Sequence, residues 1–298
     1  MKPAQFEYDD PRTVDEALDL LARYGDDCKV LAGGQSLVPL MNFRLARPAR
    51  LVDINGIESL SYIKHDSGRL VIGAMTRHTH LEHSEDVAGR WPLLTEAIGW
   101  VGHSQIRNRG TVGGSVAHAD PAAELPAAFA ALDASFQVRS NRGSRTVGWK
   151  EFFVSQFTTA LAPDELVTAV EVPAQEAGAG VAFVEFARRH GDFALGGAAV
   201  TLKLGRDGRC EHATIALLSA GPAPLRAEAA ERQLLGAKLD QPSIRAAAAQ
   251  AVKGLHPTSD LHGSTEYRIG LLRVMTERAL TKAADRANAE RSRMKGES

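Results

Sequence analysis

The chain has 298 residues, 44% of them apolar and 24% charged, with a formal net charge of -1. This is the composition of an ordinary globular protein with room for two domains, and the near-neutral charge without a basic stripe excludes an obvious nucleic-acid partner. No run of about 18 apolar residues is present to span a membrane, and the first ten residues turn acidic where a signal peptide would be apolar, so a cytoplasmic protein is expected. Cys28 and Cys210 stand alone in the sequence. By themselves they cannot hold an iron–sulfur cluster or a four-cysteine zinc site, and in a cytoplasmic chain no disulfide between them is expected.

In chain order, Thr13 and Glu16 form a capping box. It opens a helix with a stripe of Ala17, Leu18, Leu21 and Ala22, which Gly25 ends. Cys28–Leu31 reads as a short strand. It leads into the first of two glycine loops, Ala32-Gly33-Gly34-Gln35-Ser36. A short helix is expected from Ser36, carrying Leu37, Leu40 and Met41, with the Ser36 hydroxyl as its cap. Arg50–Ile54 is a second strand, and 62–64 with 70–72 a hairpin around Asp66-Ser67-Gly68. Helical patterns cover 76–84 and 92–101. The second glycine loop follows, Thr111-Val112-Gly113-Gly114-Ser115. A helix is expected at 124–132, a second hairpin at 135–138 and 145–147, and a strand at 166–172 that Pro173 closes.

The stretch 173–180, rich in Pro, Ala and Gly, has the composition of a linker. Beyond it the pattern changes to three successive strands, 181–187, 198–204 and 213–218, and then three helices near 225–235, 243–252 and 265–284. Strands followed by helices indicate an α+β domain. From Arg286 to Ser298 the chain is polar, and a frayed tail is expected.

The glycine loops carry the functional reading. Adjacent glycines allow positive φ and let another molecule approach bare peptide N–H groups, and successive N–H groups around one concavity bind phosphate. Two such loops about eighty residues apart suit a dinucleotide gripped at its pyrophosphate. Neither loop matches a P-loop or the GxGxxG fingerprint of an NAD-binding Rossmann domain. The histidines at 78, 80 and 83 invite a metal reading, and His80 and His83 at i,i+3 are expected to share a helix face. Exposed helical histidines usually have no ligand role, so no metal ligand is assigned. No Ser-His-Asp or paired-carboxylate constellation appears, and no catalytic residue is assigned.

The stretch Val30–Leu40 with the first loop, and Gln105–Pro126 with the second, resemble the two flavin loops of one family. It is the medium, FAD-binding subunit of the molybdenum hydroxylases, which include xanthine, carbon monoxide and N-heterocycle dehydrogenases. The likeness extends over nearly the whole chain, including 165–173 and Ala187-Arg188-Arg189-His190-Gly191-Asp192-Phe193-Ala194. It implies an α+β protein. An FAD-binding domain of the PCMH type, residues 1–175, would consist of two α/β subdomains (about 1–55 and 56–175). A C-terminal domain of three strands and three helices, 180–285, would precede the polar tail 286–298, with the flavin in the cleft between the parts.

Carried over position by position, the resemblance implies a first contact set of Val30, Leu31, Ala32, Gly33, Gly34, Gln35, Ser36 and Leu37. The second is Gly110, Thr111, Gly113, Gly114 and Ser115, with Ala117 nearby. Asp120 and Glu124 follow; the family often has Asp at the second of these, and Glu is one methylene longer. Val101 would lie against the isoalloxazine, Leu166 or Val167 would border the adenine or the ring, and Phe193 resembles a flavin-proximal position as well as a core residue. Members often carry a Lys where Val184 and Glu185 stand here.

The resemblance also implies partners. A large subunit would hold molybdenum with molybdopterin cytosine dinucleotide, and a small subunit two [2Fe–2S] clusters. A dimer of such heterotrimers would pass electrons through the FAD to an external acceptor. The turns at 102–105 and 119–124 resemble members acting on heteroaromatic compounds more than carbon monoxide dehydrogenase. That enzyme's medium subunit, a free-standing flavin oxidoreductase and a non-redox nucleotide-binding module are the alternatives.

Overall fold

The structure, a computed structural model, describes residues 2–296. It forms two compact units that are not contiguous in sequence. The first takes the chain up to Leu81 with His103–Ala119 and Ala134–Pro173; the second takes Glu82–Gly102, Asp120–Asp133 and the chain from Ala174.

The first unit holds two sheets. The smaller is parallel, with Arg50–Asp53 between Glu7–Asp9 and Cys28–Leu31, so that Leu31 stands beside Asp53. Helix Val14–Tyr24 begins at the expected capping box and ends at Gly25, whose φ of 49° suits glycine. Its Ala17, Leu18 and Leu21 pack with Cys28, Val52 and Ile54. The larger sheet is antiparallel, in the order Ile63–Asp66, Arg69–Gly73, Leu166–Val172, Ser135–Ser140, Gly143–Gly148. Phe136, Phe152 and Phe153 cluster with ring centroids 4.4–5.5 Å apart; Phe153 meets each of the others edge to face, and Phe136 and Phe152 are tilted to each other.

The second unit is built on a four-stranded antiparallel sheet, Gly180–Phe186, Gly196–Leu204, Cys210–Leu218 and Leu225–Arg226 in that order. Helices Glu228–Leu234, Gln241–Ala251 and Thr265–Gly296 cover it. The long helix crosses so close to the first strand that a Cβ on Gly180 would stand 2.0 Å from the Ala283 carbonyl oxygen. Small residues at Ala279, Ala283 and Ala287 allow that approach. Two helices from the N-terminal half, Pro92–Ile98 and Glu124–Ala131, also pack on this sheet. Every residue of the second from Leu125 to Ala131 is buried.

Several expectations need correction. The tail does not fray at Arg286: the helix runs on to Gly296, and the Arg286 guanidinium donates to the Val181 carbonyl at 2.6 Å and pairs with Glu96. Glu297 and Ser298 lie outside the described residues. The helical pattern at 76–84 shortens to His78–Glu82, and a separate helix that the sequence did not suggest, Glu85–Arg90, starts where Ser84 caps it by accepting from the Val87 amide. His83 therefore lies outside a helix and shares no helical face with His80. Ser36 precedes its helix but makes no side-chain cap. The second glycine loop is itself helical, forming the start of Val112–His118.

Candidate functional site

The two glycine loops meet in the first unit. Loop 1 leaves the C-terminal end of strand Cys28–Leu31 and enters helix Leu37–Asn42. Gly34 takes φ 72°, a conformation that glycine adopts without penalty. Gly33 is needed for a different reason: a Cβ there would stand 2.5 Å from the Arg109 carbonyl oxygen and 2.8 Å from Gly110 Cα. The backbone N–H groups of Gly33, Gly34, Gln35 and Ser36 donate to no acceptor among the described residues, and neither does the Ser36 hydroxyl. Four consecutive amides left in this state, on the buried Gly33 and the half-buried Gly34, Gln35 and Ser36, require an outside acceptor or water.

Loop 2 is satisfied from within. Thr111 accepts the Gly114 amide on its hydroxyl at 3.2 Å and the Ser115 amide on its carbonyl at 3.0 Å. Val112 donates to Thr76 O and Gly113 to Ala74 O, at 3.0 and 2.8 Å. Neither glycine of this loop has positive φ. Gly113 is required because a Cβ would stand 2.5 Å from Ala74 Cβ, and Gly114 because one would stand 2.6 Å from Thr111 Oγ1. Both loops were expected to offer peptide N–H groups; in the structure loop 1 offers them, and loop 2 offers the half-buried Ser115 hydroxyl, which has no partner among the described residues. His78 packs under loop 2, with Nε2 2.9 Å from the Thr111 carbonyl oxygen. Among the described residues no cluster of three or more His, Cys, Asp or Glu side chains is placed to hold a metal.

The remaining candidates divide between the units. Gly110 and Ala117 flank loop 2 in the first unit. Leu166 and Val167 are also there, at 5% and 3% exposure, with the Leu166 side chain in the core beside Leu18 and Ile57. Val101, Asp120, Glu124 and Phe193 belong to the second unit. Phe193 is 73% exposed, so it is not a core residue. Asp120 shapes its turn by accepting the Ala122 amide at 2.9 Å.

Burial, reinforced by the charge of Asp120, pushes Glu124 up to about 7. Glu185 is 5% exposed, and neither of its carboxylate oxygens has a hydrogen-bond partner among the described residues. Burial and the nearby Glu124 push it up to about 9.

A group of polar residues absent from the sequence reading surrounds the loops: Tyr8, Asp53, Asn55 and Arg77. Asn55 Nδ2 donates to Ala32 O at 2.8 Å, and Arg77 Nη2 to Asn55 Oδ1 at 2.6 Å. Arg77 Nη1 also donates to the Arg109 carbonyl. Tyr8 Oη donates to Asp53 Oδ2 at 2.5 Å, which together with burial raises the phenol to about 12. Burial alone would raise Asp53, but the bonds from Tyr8 and Asn55 outweigh it and hold the carboxyl below its ordinary value. A sequence signal existed, since polar residues just past the C-terminal end of a parallel strand are where α/β folds place ligand contacts.

Comparison with known proteins identifies the family. Residues 4–175 match the family model for the FAD binding domain in molybdopterin dehydrogenase, and 181–283 that for the CO dehydrogenase flavoprotein C-terminal domain. The 6-hydroxypseudooxynicotine dehydrogenase complex subunit alpha of Paenarthrobacter nicotinovorans is 47% identical over 99% of both chains. Caffeine dehydrogenase subunit beta of Pseudomonas sp. strain CBB1 is 40% identical over 96% of this chain and 97% of that one. The solved structure of carbon monoxide dehydrogenase from Hydrogenophaga pseudoflava superposes with a TM-score of 0.94 at 41% identity, covering 96% and 99% of the two chains. The chain belongs to the FAD-binding medium subunits of the molybdenum hydroxylase family. It is a flavoprotein subunit of a multi-subunit oxidoreductase. No helix among the described residues is long and apolar enough to cross a membrane.

Proposed function

We propose that this chain is the electron-transfer subunit of a three-component molybdenum hydroxylase that acts on an N-heteroaromatic compound. The observation that carries the cofactor part is the run of four amides at Gly33–Ser36 without acceptors, beside Ser115. An FAD pyrophosphate suits such a run, because several charge-assisted hydrogen bonds from neutral donors hold a dianion without a lysine. When bound, the flavin supplies the redox chemistry, and the chain's residues bind, orient and screen it. Loop 1 would hold the phosphates through its amides, with Ser36 and Ser115 adding hydroxyls. Cys28 and Cys210 are buried in different units, which suits a division of labour with [2Fe–2S] clusters and the molybdenum cofactor on partner subunits. Electrons would enter from those clusters and leave to an external acceptor, in a dimer of heterotrimers.

The substrate reading rests on the 6-hydroxypseudooxynicotine and caffeine dehydrogenase relatives. Oxidation of carbon monoxide is the second reading, favoured by the likeness to carbon monoxide dehydrogenase. The test is to co-express the chain with its neighbouring large and small subunits, measure the flavin spectrum and released cofactor, and follow flavin bleaching. Near-stoichiometric FAD that bleaches with a pyridine- or purine-type compound supports the proposal. Bleaching by carbon monoxide alone replaces the substrate class, and a colourless complex removes the flavin assignment.

A further inference from the structure

The two loops touch, yet among the described residues no hydrogen bond runs directly from 32–37 to 109–115. The polar link is a relay of two side chains. Asn55 belongs to the frame of loop 1. It sits in the turn Ile54–Gly56, just after strand Arg50–Asp53, whose register sets Asp53 beside Leu31. Arg77 belongs to the frame of loop 2. Its backbone pairs with Thr111 in an isolated β-bridge, closed by His78 N to Gly110 O and Val112 N to Thr76 O, both at 3.0 Å. The hydrogen bond from Arg77 to Asn55 therefore joins two frames that are more than twenty residues apart in sequence.

Each member suits its place by polarity. The amide of Asn55 has a donor end for the Ala32 carbonyl and an acceptor end for Arg77. A carboxylate there would have no donor, and an apolar side chain neither function. Arg77 reaches Asn55 with one nitrogen and the Arg109 carbonyl with another, a reach that the rigid guanidinium fork fixes and that a lysine would have to make from a single nitrogen on a flexible stem. Asp53 fixes the amide, accepting from the Asn55 backbone at 2.9 Å and from its side chain at 2.5 Å, while Tyr8 holds the other carboxylate oxygen.

We infer that Asn55 and Arg77 are positioning residues that set the spacing of the two glycine loops so that the amides of loop 1 and the hydroxyl of Ser115 engage one pyrophosphate together. The inference rests on the flavin reading for its ligand, but the coupling of the loops is a property of the ligand-free chain. Without the link each loop keeps its fold but opens more often and loses its registration with the other.

The test uses the full-length chain without ligand, as wild type, Asn55→Ala, Arg77→Lys and the double variant. Hydrogen exchange is read at Val38 and Leu40, whose amides bond within loop 1 and its helix, and at Gly113 and Ser115 of loop 2. Each single variant is expected to speed exchange in both loops, including the loop whose frame was not altered. FAD and ADP, which share the pyrophosphate, should both bind about tenfold more weakly, with the double variant little worse than the worse single one, as expected of two residues in one link. A merely structural role would lower the melting temperature without this shared, non-additive loss in the folded protein. Arg77→Lys keeps charge and bulk, so it answers the question even where Asn55→Ala fails to fold. Exchange confined to the altered frame, or FAD affinity within twofold of wild type, overturns the inference and leaves the flavin reading standing. A wild-type chain that binds ADP but not FAD overturns the flavin reading, and the exchange data then still decide the coupling.

Discussion

Loop 1 and loop 2 look alike on paper, each a pair of glycines with a hydroxyl residue, yet the structure uses them in opposite ways. Loop 1 keeps four amides without acceptors and needs Gly34 for its backbone conformation, although its Gly33 is also pressed by the Arg109 carbonyl. Loop 2 has its amides satisfied by Thr76, Ala74 and Thr111 and needs its glycines because neighbours press against their Cα atoms. The difference shows that a glycine pair can mark a surface open to a ligand or a place where the protein packs against itself. Only the destination of each N–H separates the two.

The contrast can be broken most directly at Gly113. Gly113→Val forces a branched side chain onto Ala74 and should destabilise the ligand-free chain by about 3 kcal/mol, measured by urea or thermal unfolding. A variant as stable as wild type would mean that loop 2 is not a packing element. Gly34→Ala should cost less, about 1–2 kcal/mol for a non-glycine residue in the left-handed region, but should weaken FAD binding about tenfold by disturbing the open amides. Equal FAD affinity in this variant and wild type would erase the distinction between the loops. Ser36→Ala and Ser115→Ala remove hydroxyls that have no partner among the described residues. Each should leave stability within about 0.5 kcal/mol and weaken FAD by about fivefold.

The smallest effect concerns acid. The folded-state value of Asp53 lies below its ordinary value of 3.8, so its bonds add stability above about pH 4 and lose it as the pH falls through the lowered value. Asp53→Asn should therefore be less stable than wild type at pH 7, with the gap narrowing below pH 4 in a series of melting curves. A gap independent of pH would exclude the ionised carboxylate as the anchor of loop 1.

Much of this fold was legible because its strands are apolar runs with sharp ends. Cys28–Leu31 lies between Asp27 and a glycine pair, and Leu166–Val172 is closed by Pro173, so both were bounded correctly. Glu7–Asp9 was not legible, since three polar residues on a sheet edge carry no alternation. The start of helix Val112–His118 had a signal in Thr111, whose hydroxyl caps Gly114, but the adjacent glycines outweighed it. The tail was misread for the converse reason. Arg286 looks solvated in sequence, and its acceptors, Val181 and Glu96, lie more than a hundred residues away. The relay through Tyr8, Asp53, Asn55 and Arg77 shares that cause, because contacts between distant polar residues leave no periodicity.

The division of the chain between its units has a consequence for biosynthesis. The wholly buried stretch Leu125–Ala131 lies against strands that begin only at Gly196 and end at Arg226. While the ribosome is still making those strands, this apolar helix is already outside the exit tunnel without its resting place. The N-terminal half therefore cannot finish folding on its own, and a ribosome that stalls before Leu218 releases a sticky fragment that chaperones must hold.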